Sequence, residues 1–179
     1  MEKDTECEES IMIQSEIQLK KQKTLSNWLK AVVIGMGILG AVVYGVVLPT
    51  IWKEATVDHV TLGGSAYWIR MGFIWVTAIP VYAALVYAWK VFAEIGKNNS
   101  FSFVNAKYLK NAAVLALVDT IYYFVGNVVM FFANMNHPGV LLISFLICFV
   151  GVAVVIVCAA LSQLVKKAAE LKEENELTI

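Results

Sequence analysis

Asp119 has the greatest chemical potential in this chain. It is a carboxylate in the otherwise apolar stretch Ala112–Ala133. A carboxylate inside a membrane-crossing helix is costly unless it is paired, protonated or wetted. Tyr122, Tyr123 and Gly126 lie near it on a helix, and Asn127 is about two turns further along. This set reads as a proton or cation site. The alternative is an aspartate one or two turns inside the interface, bonded to a tyrosine, to a lysine such as Lys110, or to lipid headgroups. Arg70, the only arginine, lies one turn inside an earlier apolar stretch, near its opposite end. Its level and that of Asp119 should differ by more than ~10 Å at 1.5 Å per residue. Asn127, Asn134 or a lipid phosphate is therefore the better expected partner for Arg70, with snorkelling to the interface as the alternative. Arg70, Asp119, Tyr123 and Asn127 form the candidate intramembrane polar site.

Glu54, Asp58 and His59 have an acid–acid–His spacing, and His137 falls in a later turn; such a set could hold a metal ion. Nothing in the spacing fixes ligand geometry, and we expect no metal. No Ser-His-Asp order, His-Glu-x-x-His, phosphate loop or dinucleotide glycine pattern is present. The expectation is a non-enzymatic protein without a cofactor. Cys148 and Cys158 fall within the last apolar run and Cys7 within the acidic head, a spacing that fits no metal or disulfide framework.

The elements that must position these residues follow from hydropathy. Thr120 to Val165 contain no Asp, Glu, Lys or Arg, and the run is broken by Asn134-Met135-Asn136-His137-Pro138-Gly139, a tight-turn sequence. One bilayer crossing takes ~20 residues, so this stretch holds two. Ala31–Trp52 and Met71–Trp89 are further uncharged stretches. The predicted fold is all-α: a four-transmembrane-helix membrane protein with spans at about 28–50, 67–92, 112–133 and 140–165. Residues 1–27 read as a largely disordered arm and 166–179 as a helical extension and tail. The first span is too long for a signal-peptide core and lacks a small-x-small cleavage site, so it should remain as an anchor.

Lysine placement sets the expected orientation. The head carries Lys3, Lys20, Lys21, Lys23 and Lys30, the middle loop and its borders Lys90, Lys97, Lys107 and Lys110, and the tail Lys166, Lys167 and Lys172; the opposite side has Lys53 and Arg70. Head, middle loop and tail should therefore be cytoplasmic. Trp28 and Trp89 fall at one expected interface, Trp52 and Trp68 at the other, while Trp75 should pack between helices. Gly37, Ala41 and Gly45 recur every four residues, a stripe suited to close packing of another helix within the chain or to a homodimer seam. Pro80 should disturb the second span.

The middle loop is the richest segment. Gly96 suits a helix C-cap. Ser102 suits an N-cap, with Phe101 packing back on the first turn and Asn105 where a capping box would place Glu or Gln. From Phe103 through Lys110 a short amphipathic helix, anchored by Lys107 and Lys110, should lie partly in the interface before turning into span three. In the tail, Glu173, Glu174, Asn175, Leu177 and Ile179 form an acidic end with an apolar terminus that a partner could capture. Phe101, Ser102, Asn105 and Lys107 with these tail residues form the candidate cytoplasmic partner surface.

Two passages carry a family resemblance. Ile95-Gly96-Lys97-Asn98-Asn99-Ser100-Phe101-Ser102-Phe103-Val104-Asn105-Ala106-Lys107-Tyr108-Leu109-Lys110 resembles the G-x-x-F-[ST]-x-x-N-A-x-x-L-[KR] signature between spans two and three of a bacterial membrane family, domain of unknown function 2975. Leu171 to Ile179 resembles its terminal L-K-x-E-N-[DE]-L-T-I. Phe103-Val104 departs from the family, which often has Glu just before the position of Asn105. The resemblance implies a four-helix inner-membrane protein of unassigned activity, often encoded beside a small helix-turn-helix regulator. The expected function is thus regulatory or sensory, with the lipid bilayer and a cytoplasmic transcription regulator as partners. A small transporter or channel using Asp119 is the first alternative, and an immunity or envelope-stress protein the second. Zero formal net charge gives no basic field for direct nucleic-acid binding.

Reporter fusions at the two termini should both give the cytoplasmic signal, and the chain should resist carbonate extraction. Opposite signals would overturn the topology.

Overall fold

A computed structural model describes residues 2–51, 65–136 and 138–177. Among these the chain forms four long helices: α1 (Glu2–Val42), α2 (Ser65–Gly96), α3 (Phe103–Phe132) and α4 (Pro138–Leu177). All four are long and apolar enough to cross a membrane, and no strand occurs among the described residues. A π-helical segment, Val43–Val47, follows α1, and helical backbone continues to residue 51.

The elements start and stop for local reasons. Both described interhelical turns end on the same device. After α2, Asn98 adopts the left-handed conformation (φ 61°), its N–H reaching the Ile95 carbonyl and that of Asn99 the Glu94 carbonyl. After α3, Asn134 (φ 54°) repeats it, with its N–H on the Phe131 carbonyl and that of Met135 on the Met130 carbonyl. These are Schellman closures with asparagine, not glycine, at the left-handed position. The expected cap at Gly96 is therefore replaced by Asn98. Gly96 serves another purpose: a Cβ there would stand 2.7 Å from Ser26 Oγ, so its bareness admits α1.

Two segments depart from expectation. Phe103–Lys110 is not a separate interfacial helix but the opening turns of α3, which runs unbroken from Phe103 to Phe132. No glycine or proline interrupts Phe103–Val125, and Ala106, Leu109, Ala112 and Ala113 favour continued helix. Composition suggested a disordered head, yet its backbone is helical from Glu2; its Glu, Lys and Gln residues are good helix formers with no breaker among them.

The helices meet only in sequence order. Among these elements the backbones of α1 and the π segment approach only α2, α2 approaches α1 and α3, and α3 approaches α2 and α4. Three hydroxyl-to-carbonyl bonds tie successive helices. Ser26 donates to Phe92 (2.6 Å) and Tyr82 to Gly37 (2.9 Å), both joining α1 with α2; Ser162 donates to Ala106 (2.7 Å), joining α4 with α3. At the lysine-rich end, Lys30 lies over Trp89 (5.7 Å) and Lys90 over Tyr87 (5.3 Å) and Tyr108 (5.7 Å), as an interfacial aromatic belt requires.

Glycine sets the closest approaches. A Cβ on Gly126 of α3 would fall inside the ring of Phe73 on α2, which also stacks on Tyr122 (centroids 5.0 Å apart). A Cβ on Gly151 of α4 would collide with Thr120 of α3. The expected stripe on α1 does not work this way: Gly37 and Gly45 face open space, Ala41 is exposed, and Gly40 meets Tyr82 instead. The contact face of α1 runs through Ser26, Val33, Gly40 and Tyr44, one register away from the stripe. Trp75 is 52% exposed and points outward from the bundle, against the expectation that it packs between helices.

Gly126→Ala should cost about 1–3 kcal/mol by overpacking against Phe73. Trimming the ring with Phe73→Leu in the same chain should recover part of the lost melting temperature. Additive losses would separate the two residues.

Candidate functional site

The site is built where α1 loses its α-helical register. Pro49 supplies no N–H for the Gly45 carbonyl, and its ring would clash there in an α-helix. The chain widens into the π segment instead, with the Leu48 N–H bonding the Val43 carbonyl. Thr50 caps the loosened carbonyls of Val46 (3.0 Å) and Val47 (2.9 Å) through its hydroxyl. Such π insertions often mark functional sites. Here Val43, Tyr44 and Leu48 turn inward, while Gly45, Val46 and Val47 are exposed.

The inward residues form one wall of a cleft of about 340 Å³. The other walls are Ile74, Thr77 and Val81 of α2; Asp119, Thr120 and Tyr123 of α3; and Ile147, Cys148 and Gly151 of α4. All four helices therefore contribute. The backbones of α1 and α4 do not approach one another, yet residues near the end of α1 and residues of α4 line this same cleft. Asp119 stands about 13 Å along α3 from Lys110. That distance is beyond the reach of Lys110, so one expected partner is excluded.

Three hydroxyl protons around Asp119 are already committed. Thr77 donates to the Ile74 carbonyl (2.7 Å), so in its 3.1 Å bond with Tyr44 the tyrosine is the donor. Thr120 donates to the Ala116 carbonyl (2.7 Å). The Cys148 thiol faces the Thr120 carbonyl at 4.0 Å. A hydroxyl has one proton to give, so Tyr44, Thr77 and Thr120 have none left for the carboxylate. Accordingly Asp119 Oδ1 is buried with no hydrogen-bond partner among the described residues. An unsatisfied polar atom in a low-dielectric setting favours whatever donor or cation enters.

The structure brings together only part of the expected polar site. Asp119 and Tyr123, one turn apart, share the cleft. Asn127 is buried one turn beyond and serves the turn after α3, donating to the Tyr123 carbonyl (2.9 Å) and accepting from Asn136 (3.2 Å). Arg70 is not among the lining residues; it lies about two turns from Thr77 along α2, some ~10 Å. Sequence reasoning missed Tyr44, Thr77, Thr120 and Cys148. The available signal was the presence of isolated polar residues in apolar spans, with Pro49 just beyond Tyr44. Glu54, Asp58, His59 and His137 lie outside the described residues, and no metal-binding group occurs among those described.

The expected cytoplasmic surface is ordered by one glutamate and one asparagine. Glu94 accepts from Lys97 Nζ (2.7 Å) and Asn99 Nδ2 (3.0 Å); the glutamate beside it raises the Lys97 pKa above its ordinary value. Ser102 caps α3 by accepting from the Asn105 N–H (3.2 Å). Asn105, 1% exposed, turns its amide back to the carbonyls of Asn99 (3.2 Å) and Ser100 (3.0 Å) instead of closing a capping box. Asn105 thus holds the loop from within, while Phe101 and Lys107 are exposed on it. Glu173, Glu174 and Asn175 are exposed on the last turns of α4, whose backbone stays helical through Leu177; Ile179 lies outside the described residues.

Four apolar helices tied by hydroxyl and glycine contacts, with a carboxylate cleft between them, define a four-span membrane protein. Residues 54–179 match the family described as "Protein of unknown function (DUF2975)", and the chain belongs to that family. The chain is also similar to the uncharacterized membrane protein YoaS of Bacillus subtilis (strain 168), at 36% identity over 109 residues, covering 60% of this chain and 68% of that protein. No solved structure matches.

Asp119→Asn should raise thermal stability in detergent by roughly 1 kcal/mol, or about 2–4 °C for a chain of this size. A fall in melting temperature would show that the carboxylate is structurally paired.

Proposed function

We propose that this chain is a non-enzymatic, regulatory or sensory inner-membrane protein. In this reading its cleft takes a lipophilic cation or hydrogen-bond donor on Asp119, and its lysine-rich, cytoplasmic end holds a soluble partner such as a helix-turn-helix regulator. The observation that carries the reading is the buried, unpartnered Asp119 Oδ1 in a cleft walled by all four helices. A ligand there would bear on α1 through Tyr44 and on α4 through Cys148. Both helices continue to the lysine-rich end, where the loop locked by Asn105 and the acidic end of α4 offer exposed side chains. The open Gly37–Ala41–Gly45 stripe leaves a homodimer as an extension of the same reading.

Proton- or ion-coupled transport is the second reading, favoured by the same carboxylate. The cleft is lined by residues near the end of α1 and by residues of α4, whose backbones do not approach one another, and this suits entry from the lipid side.

Full-length chain in nanodiscs should be stabilised by tetraphenylphosphonium, and Asp119→Asn should lose that shift. Chain purified in mild detergent should carry a repressor-sized protein, identified by mass, and truncation after Lys172 should reduce its recovery. Equal recovery from both lengths removes the tail from the proposal. Ion flux in proteoliposomes that depends on Asp119 would favour transport instead.

A further inference from the structure

A second groove runs between α3 and α4 at the lysine-rich end, and it shares no lining residue with the cleft at Asp119. Its volume is about 420 Å³. Ala113, Val114 and Leu117 of α3 face Val155 and Ala159 of α4 along its floor. Lys110 of α3 and Lys166 and Gln163 of α4 also line it, with Lys166 about two turns nearer the lysine-rich end than Lys110 by the register that Ser162 and Ala106 set. The Ser162 hydroxyl is spent on the Ala106 carbonyl (2.7 Å), a bond that holds the two helices together at this level.

We propose that this groove is a binding site for an anionic phospholipid of the leaflet on the lysine-rich side. The acyl chain would lie on the aliphatic floor, and the phosphate would sit between the two ammonium groups, with the Gln163 amide as a further donor. The form of the groove carries this assignment. The floor spans about 10 Å on α3 from Lys110 to Leu117 and about 16 Å on α4 from Val155 to Lys166, the depth of part of an acyl chain. Two lysines whose long side chains can both extend toward the lysine-rich end of an apolar slot complement a molecule that is anionic at one end and aliphatic along its length. A soluble anion would leave the floor wet. Lys166 also meets Glu170 at 3.5 Å, but both side chains are about half or more exposed (62% and 48%). That pair is screened and weak, and an ammonium has three protons to share. Basic pockets between helices at this depth suit lipid headgroups.

The test uses full-length chain in mild detergent, exposed to equal amounts of phosphatidylglycerol and phosphatidylcholine and read by native mass spectrometry. Phosphatidylglycerol should be retained preferentially. Lys110→Gln and Lys166→Gln should each cut that preference about fivefold, and the double variant should abolish it. Lys167→Gln, outside the groove, should leave it unchanged, and Lys110→Arg with Lys166→Arg should restore it. Equal retention of the two lipids overturns the site, as does an equal loss in Lys167→Gln, which would mark a diffuse basic surface. A lipid-free dimer whose cross-links run through Val114 and Val155 would show that a second copy fills the groove, and would also overturn it.

Discussion

Helices in a bilayer gain nothing from hiding apolar side chains from one another, because the lipid is as apolar as they are. This chain answers that constraint with a few short polar contacts. Ser26 to Phe92, Tyr82 to Gly37 and Ser162 to Ala106 each place a side-chain hydroxyl on a neighbouring helix's carbonyl. Each such bond needs the two backbones close, and Gly96 and Gly40 lie beside the first two. Gly126 under Phe73 and Gly151 against Thr120 bring α3 to its other neighbours. Most of the remaining surface is Val, Ile, Leu and Phe turned outward, which in water would be a hazard and in lipid is the ordinary state.

A second set of hydroxyls bears on Asp119. Thr77, Thr120 and Tyr44 are bound to carbonyls or to each other, as hydroxyls in a dry interior should be. Their protons are unavailable to the carboxylate one side chain away. The cleft is mostly apolar, and its few hydroxyls leave one carboxylate oxygen without a partner among the described residues.

The four helices were legible in the sequence because the uncharged runs are long and their borders carry lysine and tryptophan. The turn at Asn134 was legible for the same reason, and so was Ser102 as a cap. Other features were not. Gly96 fits a cap by type, but the chain runs on to Asn98, because asparagine also tolerates the left-handed region. The stripe of Gly37, Ala41 and Gly45 fits close packing by spacing, yet the contact face of α1 is set by Ser26, Gly40 and Tyr44, whose partners lie far away in sequence. Asp119 and Tyr123 were visible as neighbours on one helix. Tyr44, Thr77 and Cys148 could join them only once three other helices were placed, and their registers depend on contacts that no local pattern encodes. The head shows the reverse limit: its composition reads as solvated, and it is nonetheless regular helix.

Each helix backbone packs only against the one before and the one after it among the described elements, so α1 is backed along its length by α2 alone. A panel hinged along a single edge swings more freely than one fastened along two. α1 is such a panel, pinned to α2 by Ser26, Tyr82 and Tyr44, with its wider turn at the latch. In the reading proposed above, the opening over the acid would follow how far that one rod leans, and a guest would come in sideways from the surrounding oil.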